Sequence, residues 1–200
     1  ARSHSRRFPS PTKSPSLHRR SRRIDLETNV GPRSVAEALG QITWLLTQSP
    51  VHKHLKLADL EWSIMPALLH EQFRIFRFGP LPGLDGIDPE NFLPGVTREG
   101  LEQMPLGVAL WGWLSEGAEQ KVEQGERLDP AEWKSGDRLW LLELIVPFST
   151  VENRLAEVMM ADLIAGPFAG QSFSLHRTDP TTGRKDKVTF GRQGASASQT

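Results

Sequence analysis

The run Leu139-Trp-Leu-Leu-Glu-Leu-Ile-Val146 constrains this chain more than any other stretch. Its length, the tight turn Trp133-Lys-Ser-Gly-Asp137 that feeds it and the Pro147-Phe148 stop suit a central, largely buried strand. Gly107-Val-Ala-Leu-Trp-Gly-Trp-Leu114 reads as a second apolar strand, and Phe73-Arg-Ile-Phe76 as the start of a third. Phe173, Leu175 and Arg177 suggest another, which a turn at Thr178–Gly183 joins to Lys187-Val-Thr-Phe190 as a hairpin.

Helical spacing separates these strands. Val35, Ala38, Leu39, Ile42, Leu45 and Leu46 recur on one face behind a Ser34/Glu37 capping-box pattern, and Ser49-Pro50 ends that helix. A second helix is expected from about Asp59 through Leu68, with Pro66 forcing a kink or a boundary. Residues 116–132 suit a short amphipathic helix, and residues 150–163 carry Val151, Leu155, Val158, Met159 and Leu163 at helical spacing. The order predicts a mixed sheet with helices packed against it, an α/β or α+β layer domain.

Composition places the ends. Residues 1–23 hold eight basic residues and no acidic one, leaving 16 basic and 24 acidic residues in the remainder. This Arg-, Ser- and Pro-rich segment has almost nothing to pack, so residues 1–30 are expected to be a disordered basic arm, with a loose tail over 193–200. The folded unit is then 31–192. Within it, Gly79–Pro105 holds Pro80, Pro82, Gly83, Gly86, Pro89, Pro94, Gly95 and Gly100, too many for regular structure, and is expected to be one long loop. No apolar run approaches the length needed to span a bilayer.

Several chemistries lack their usual anchors. With no cysteine, disulfides, thiolate nucleophiles and Cys-ligated metals are excluded for this sequence. There is no phosphate-binding glycine loop, dinucleotide fingerprint, His-Glu-x-x-His or nucleophile elbow. Of six histidines only His52 and His54 are close, and no third ligand is evident, so no metal site is expected. Arginine and aromatic residues do not interleave as in an RNA-binding sheet, which makes a basic-tailed nucleic-acid protein the weakest reading.

Two spots are suggestive. Ser49-Pro-Val-His52-Lys-His54 lies at a helix exit, where a histidine can titrate near neutrality. Ser135-Gly136-Asp137-Arg138 is a turn feeding the central strand, where an acid can orient an imidazole or favour its charged form. Each also has an ordinary explanation: a loop histidine beside a lysine, and a turn aspartate bonded to local backbone N–H groups.

The first spot, extended back to Leu39, contains Leu39-Gly40, Trp44-Leu45 and Ser49-Pro50-x-His52. The second contains Trp133, Ser135, Gly136, Asp137, Arg138 and Trp140 as Trp-x-Ser-Gly-Asp-Arg-x-Trp. With Ile145-Val-Pro-Phe148 and Arg177-Thr-Asp-Pro180 after them, the chain resembles the toxin-activating lysine acyltransferases, the haemolysin-activating C proteins, from about residue 36 to 192.

That resemblance implies an N-acetyltransferase-like (GNAT-like) mixed sheet flanked by helices. It implies an enzyme that takes a fatty acyl chain from acyl carrier protein and places it on internal lysines of an RTX protoxin. It assigns the essential histidine and aspartate to His52 and Asp137, with Ser49, Ser135, Gly136, Arg138 and Trp140 supporting the site. No cofactor is held; the acyl donor is the phosphopantetheine thioester of the carrier. Family members are cytoplasmic, and some form homodimers. The carrier is acidic, so Lys53, Lys56, Arg74 and Arg77 are candidates for its docking. The 79–105 loop and the basic arm depart from the family pattern. The rival reading is a non-catalytic, chaperone-like protein that grips the carrier or the protoxin. It differs from the enzyme in having no need of a base and its orienter.

Overall fold

The computed structural model describes residues 35–77, 103–178 and 182–191, with positions 95, 97 and 100. The expected basic arm, most of the long loop and the C-terminal tail lie outside these residues, as does Ser34.

Helix α1 (Val35–Gln48) buries Ala38, Ile42, Leu45 and Leu46, the stripe its periodicity predicts. The segment after it differs from a single kinked helix. A 3₁₀ turn at Leu57–Asp59 leads into α2 (Leu60–Ser63), and α3 (Met65–Leu69) begins afresh with Pro66 in its first turn. Proline has no N–H to donate and is tolerated only there, so Pro66 divides the helix instead of bending it. Strands β1 (Phe73–Arg77) and β2 (Pro105–Leu114) follow. Next come α4 (Glu116–Glu123), capped by the Ser115 hydroxyl, a 3₁₀ turn at Pro130–Trp133, and β3 (Arg138–Ile145). Helix α5 (Leu155–Ala165) starts later than its apolar spacing suggests, because Asn153 ties residues 148–155 into a turn. Strands β4 (Phe173–Thr178) and β5 (Lys185–Phe190) close the described chain.

The five strands form one sheet in the order β1-β2-β3-β4-β5. All neighbours are antiparallel except β3 and β4, which are parallel and joined through the α5 crossover. This mixed sheet flanked by helices is consistent with the N-acetyltransferase-like expectation. One face packs Ile42, Leu45, Ala67, Leu110, Leu114, Ala118 and Trp140 between the sheet and helices α1, α3 and α4. The other packs Trp111, Leu139, Leu141, Met159, Leu163 and Phe168 under α5.

Two irregularities matter for function. The first is a bulge in β3. Trp111 pairs with Leu141, but Leu110 pairs with Glu143, so Leu142 is left without a partner. Trp140 and Leu142 pack on the α1 side, and Leu139 and Leu141 on the α5 side. Strict alternation would send Glu143 to the α5 side with Leu141. The extra residue reverses the phase, and Glu143 shares the face of Leu110, under α1. The second is a short parallel seam. β3 and β4 pair only over Leu139–Leu141 and Phe173–Leu175, after which β3 continues to Ile145 without β4.

Candidate functional site

The end of α1 builds the pocket of His52. Ser49 is buried, and its carbonyl accepts the N–H groups of His52 and Lys53 at 3.1 and 2.9 Å, closing a turn. The N–H of Leu55 bonds back to the carbonyl of His52 at 2.9 Å. This turn presents the imidazole to the Ser49 hydroxyl, with Oγ 2.7 Å from Nδ1. The opposite ring nitrogen, Nε2, lies 3.4 Å from Oε2 of Glu143. The His52 side chain is 19% exposed and that of Glu143 47%, so the pair is roofed on one side and open on the other.

The chemistry follows from the two nitrogens. If Nδ1 carries the proton and donates it to Ser49 Oγ, the Nε2 lone pair faces the open side beside a carboxylate. A base so placed can take a proton, and Glu143 then faces the imidazolium.

Asp137 is elsewhere. It is exposed in the turn before β3, six residues from Glu143. Along an extended strand that is about 20 Å, far beyond contact with His52. The two ring nitrogens of His52 face Ser49 and Glu143, so the carboxylate opposite the imidazole belongs to Glu143. A signal existed in the sequence, since Glu143 is the one charged residue in the run 139–146. Its facing depended on the bulge, which alternation does not show.

The rest of the second motif holds α4 to the sheet. Ser135 and Gly136 donate their N–H groups to the carbonyl of Trp113. The Ser135 hydroxyl donates to the carbonyl of Glu132 and accepts from the N–H of Ser115. A Cβ on Gly136 would sit only 2.5 Å from the Leu114 oxygen, which is why the turn needs glycine. Trp140 is buried and donates its indole N–H to Glu119 at 2.9 Å; Arg138 and Lys187 reach the same carboxylate at 3.1 and 2.8 Å. Burial pushes the Glu119 carboxyl up, but hydrogen bonds from Lys187 and Trp140, with the charges of Lys187 and Arg138, outweigh it and hold it below the usual glutamate value. Of the expected supporting residues, only Ser49 touches His52; Ser135, Gly136, Arg138 and Trp140 brace the far end of β3.

The four docking candidates also divide. Arg74 is committed to Asp162 through Nε–Oδ2 at 2.6 Å and Nη2–Oδ1 at 2.9 Å, joining β1 to α5. Arg77 donates to Gln41 at 2.8 Å and lies 3.9 Å from Glu37. Both guanidiniums are thus held by partners within the fold. Lys53 and Lys56 are exposed beside His52. Among the described residues, no group of three His, Asp or Glu side chains is placed to share a metal ion, and no helix is long and apolar enough to cross a membrane.

Comparison with known proteins adds to the geometry. The profile of the RTX toxin acyltransferase family matches residues 32–82 and 98–191. The chain is 29% identical over 111 residues to a leukotoxin-activating lysine-acyltransferase of a Pasteurella haemolytica-like species, covering 55% of this chain and 53% of that protein. It is 28% identical over 113 residues to one from Aggregatibacter actinomycetemcomitans, covering 56% and 54%. A protein-lysine myristoyltransferase of Kingella kingae is 27% identical over 111 residues, covering 55% and 53%. In each case the alignment spans about half the length of the curated relative.

Proposed function

We propose, given that this chain belongs to the RTX toxin acyltransferase family, that it transfers a fatty acyl group to the ε-amine of internal lysines in an RTX protoxin. The donor in this reading is the thioester of an acyl carrier protein. The observation that carries the chemistry is the placing of His52 between the Ser49 hydroxyl and the Glu143 carboxylate.

A lysine amine has an ordinary pKa of about 10.4 and arrives as an ammonium. Glu143, half exposed, attracts it to the open side of the imidazole. His52 Nε2 takes one proton from the ammonium and releases it to solvent on its open side, and the freed lone pair attacks the thioester carbonyl carbon. The carbon–nitrogen bond forms, His52 takes the second surplus proton from that nitrogen, the carbon–sulfur bond breaks, and this proton passes from His52 to the leaving thiolate. Ser49 holds Nδ1 and hence the tautomer; Glu143 balances the imidazolium while it exists. The sequence has no cysteine, so no cysteine thioester forms on this chain, and direct transfer is the simplest path. The open seam between β3 and β4 favours this arrangement. Beyond Leu141 the β3 edge runs without its neighbour beside Glu143, and such an edge suits the amides of the carrier's prosthetic arm.

The test is intact-mass analysis of a lysine-bearing protoxin fragment incubated with this protein and acyl-loaded carrier. An acyl-sized gain, lost in His52→Ala and strongly reduced in Glu143→Gln, is the expected result. Full transfer by His52→Ala would remove the base. Carrier binding with no transfer to any lysine of the fragment would leave the non-catalytic reading in its place.

A further inference from the structure

The turn that carries His52 also carries an unusual surface. Residues 51–57, Val-His-Lys-His-Leu-Lys-Leu, contain no carboxylate. Val51 and Leu57 are 81% and 80% exposed, and Leu55 is exposed as well. Three large apolar side chains thus face outward within seven residues, interleaved with exposed Lys53, His54 and Lys56. Isolated exposed leucines need no explanation, but an apolar group edged by cations beside a reactive histidine does.

The border of this surface is ordered. Asp59 accepts the backbone N–H of Lys56 at 3.0 Å and the indole N–H of Trp62 at 3.3 Å. Those two bonds, together with the charges of Lys56 and Arg127, hold its carboxyl below the usual aspartate value. The guanidinium of Arg127 lies over the Trp62 ring, 4.1 Å from its centre. A chain of short links therefore runs from Lys56 through Asp59 and Trp62 to Arg127. Arg74, Lys121, Arg138, Arg154, Arg184 and Lys187 are all ion-paired. Lys53, Lys56 and Arg127 are in no ion pair among the described residues. A stacked guanidinium keeps its N–H fork preorganised for an incoming carboxylate.

We propose that this surface, Val51–Leu57 with Trp62 and Arg127, docks the acidic carrier protein that delivers the thioester. The inference rests on the acyl-transfer reading above and names where its donor sits. Charge decides between the two macromolecules that must reach His52. The acceptor brings a lysine ammonium, which a cationic face repels and Glu143 attracts. An acidic donor meets unpaired cations, and its apolar docking residues cover Val51, Leu55 and Leu57, giving the mix of apolar centre and charged rim typical of protein interfaces.

Binding of dye-labelled acyl carrier protein to the full chain, followed by anisotropy without acceptor, tests this independently of turnover. Lys53→Glu with Lys56→Glu should weaken binding at least about tenfold, Arg127→Glu about fivefold, and added salt should weaken the native chain in the same direction. Leu57→Ser should weaken it without altering the salt dependence. Arg184→Glu, an equal charge change on the β4–β5 turn, should stay within about twofold. The proposal is overturned by a native chain that does not bind the carrier, by charge-reversed variants that bind equally well, or by variants that lose a protoxin fragment instead of the carrier. Retained carrier binding with no acyl transfer would count against the reaction and in favour of the docking surface.

Discussion

Leu110 and Glu143 stand directly opposite each other across the β2–β3 ladder, although strict alternation from Leu141 would have turned Glu143 to the other face. The unpaired Leu142 makes the difference. One residue without a partner converts an acid bound for the α5 side into the carboxylate facing His52.

Glu143→Gln keeps the shape and removes the charge that meets the imidazolium. Transfer should fall by about 10² to 10³-fold, with the folded state intact by circular dichroism. Glu143→Asp, one methylene shorter from a starting gap of 3.4 Å, should recover only part of it. Single-turnover acylation rates read both.

Deleting Leu142 removes the bulge itself. Glu143 then follows Leu141 directly, and regular alternation keeps it opposite Leu110 and on the face of His52, with Leu144 and Ile145 also keeping their partners. Transfer should therefore fall less than in Glu143→Gln, while urea denaturation should show the loss of the Leu142 side chain from the core, which Glu143→Gln does not share.

Gly136→Ala and Asp137→Ala separate structure from chemistry within one turn. The alanine Cβ at position 136 would meet the Leu114 carbonyl oxygen at 2.5 Å, so the variant should lose more than about 2 kcal/mol in urea denaturation. Asp137 is exposed and lies about 20 Å from Glu143, so Asp137→Ala should keep most of the transfer rate. A loss by Asp137→Ala equal to that of His52→Ala would restore a chemical role to Asp137.

Glu119 gathers Trp140, Arg138 and Lys187 on one buried carboxylate. Its pKa is lowered on folding, so its stabilisation is present above the ordinary glutamate value and is lost as pH falls through the folded value. Melting temperature should therefore drop on acidification below about pH 4.5 more steeply in the native chain than in Glu119→Gln. Near neutral pH, Glu119→Ala should cost about 2 kcal/mol, because it leaves the buried Trp140 indole N–H without its acceptor, while Lys187 and Arg138 keep Glu123 and Glu116.

Arg74 and Asp162 join β1 to α5 by one hydrogen bond and one close ion-pair contact. Breaking either partner alone should destabilise by about 3 kcal/mol, since the other is left largely buried without its counter-charge. The double change Arg74→Met with Asp162→Leu should cost less than the sum of the singles. Denaturant titration of the four proteins measures the coupling.

Much of the architecture was legible because it rests on local pattern. The α1 stripe, the two apolar strands and the closing hairpin follow from spacing that burial enforces. The site was legible in part. His52 sits at a helix exit whose Ser-Pro ending announces a turn, and the turn forms as expected. Glu143 was not legible, because facing within a strand depends on register, and register here depends on a bulge. Arg74 and Arg77 looked like free cations because their partners, Asp162 and Gln41, are 88 and 36 residues away in sequence. Sequence spacing carries no information on contacts of that range.

The short parallel seam has a consequence for how the sheet comes apart. Strands β4 and β5 pair with each other over six positions but meet β3 over only three, with Lys187 to Glu119 as a further tie. A hairpin fastened along so short a line can swing open as a leaf while β1–β3 keep their ladder, so its seam amides should exchange with solvent well before the amides between β2 and β3. The opening would begin where β3 runs on alone toward Glu143, so the Leu141–Leu175 end of the seam should exchange first.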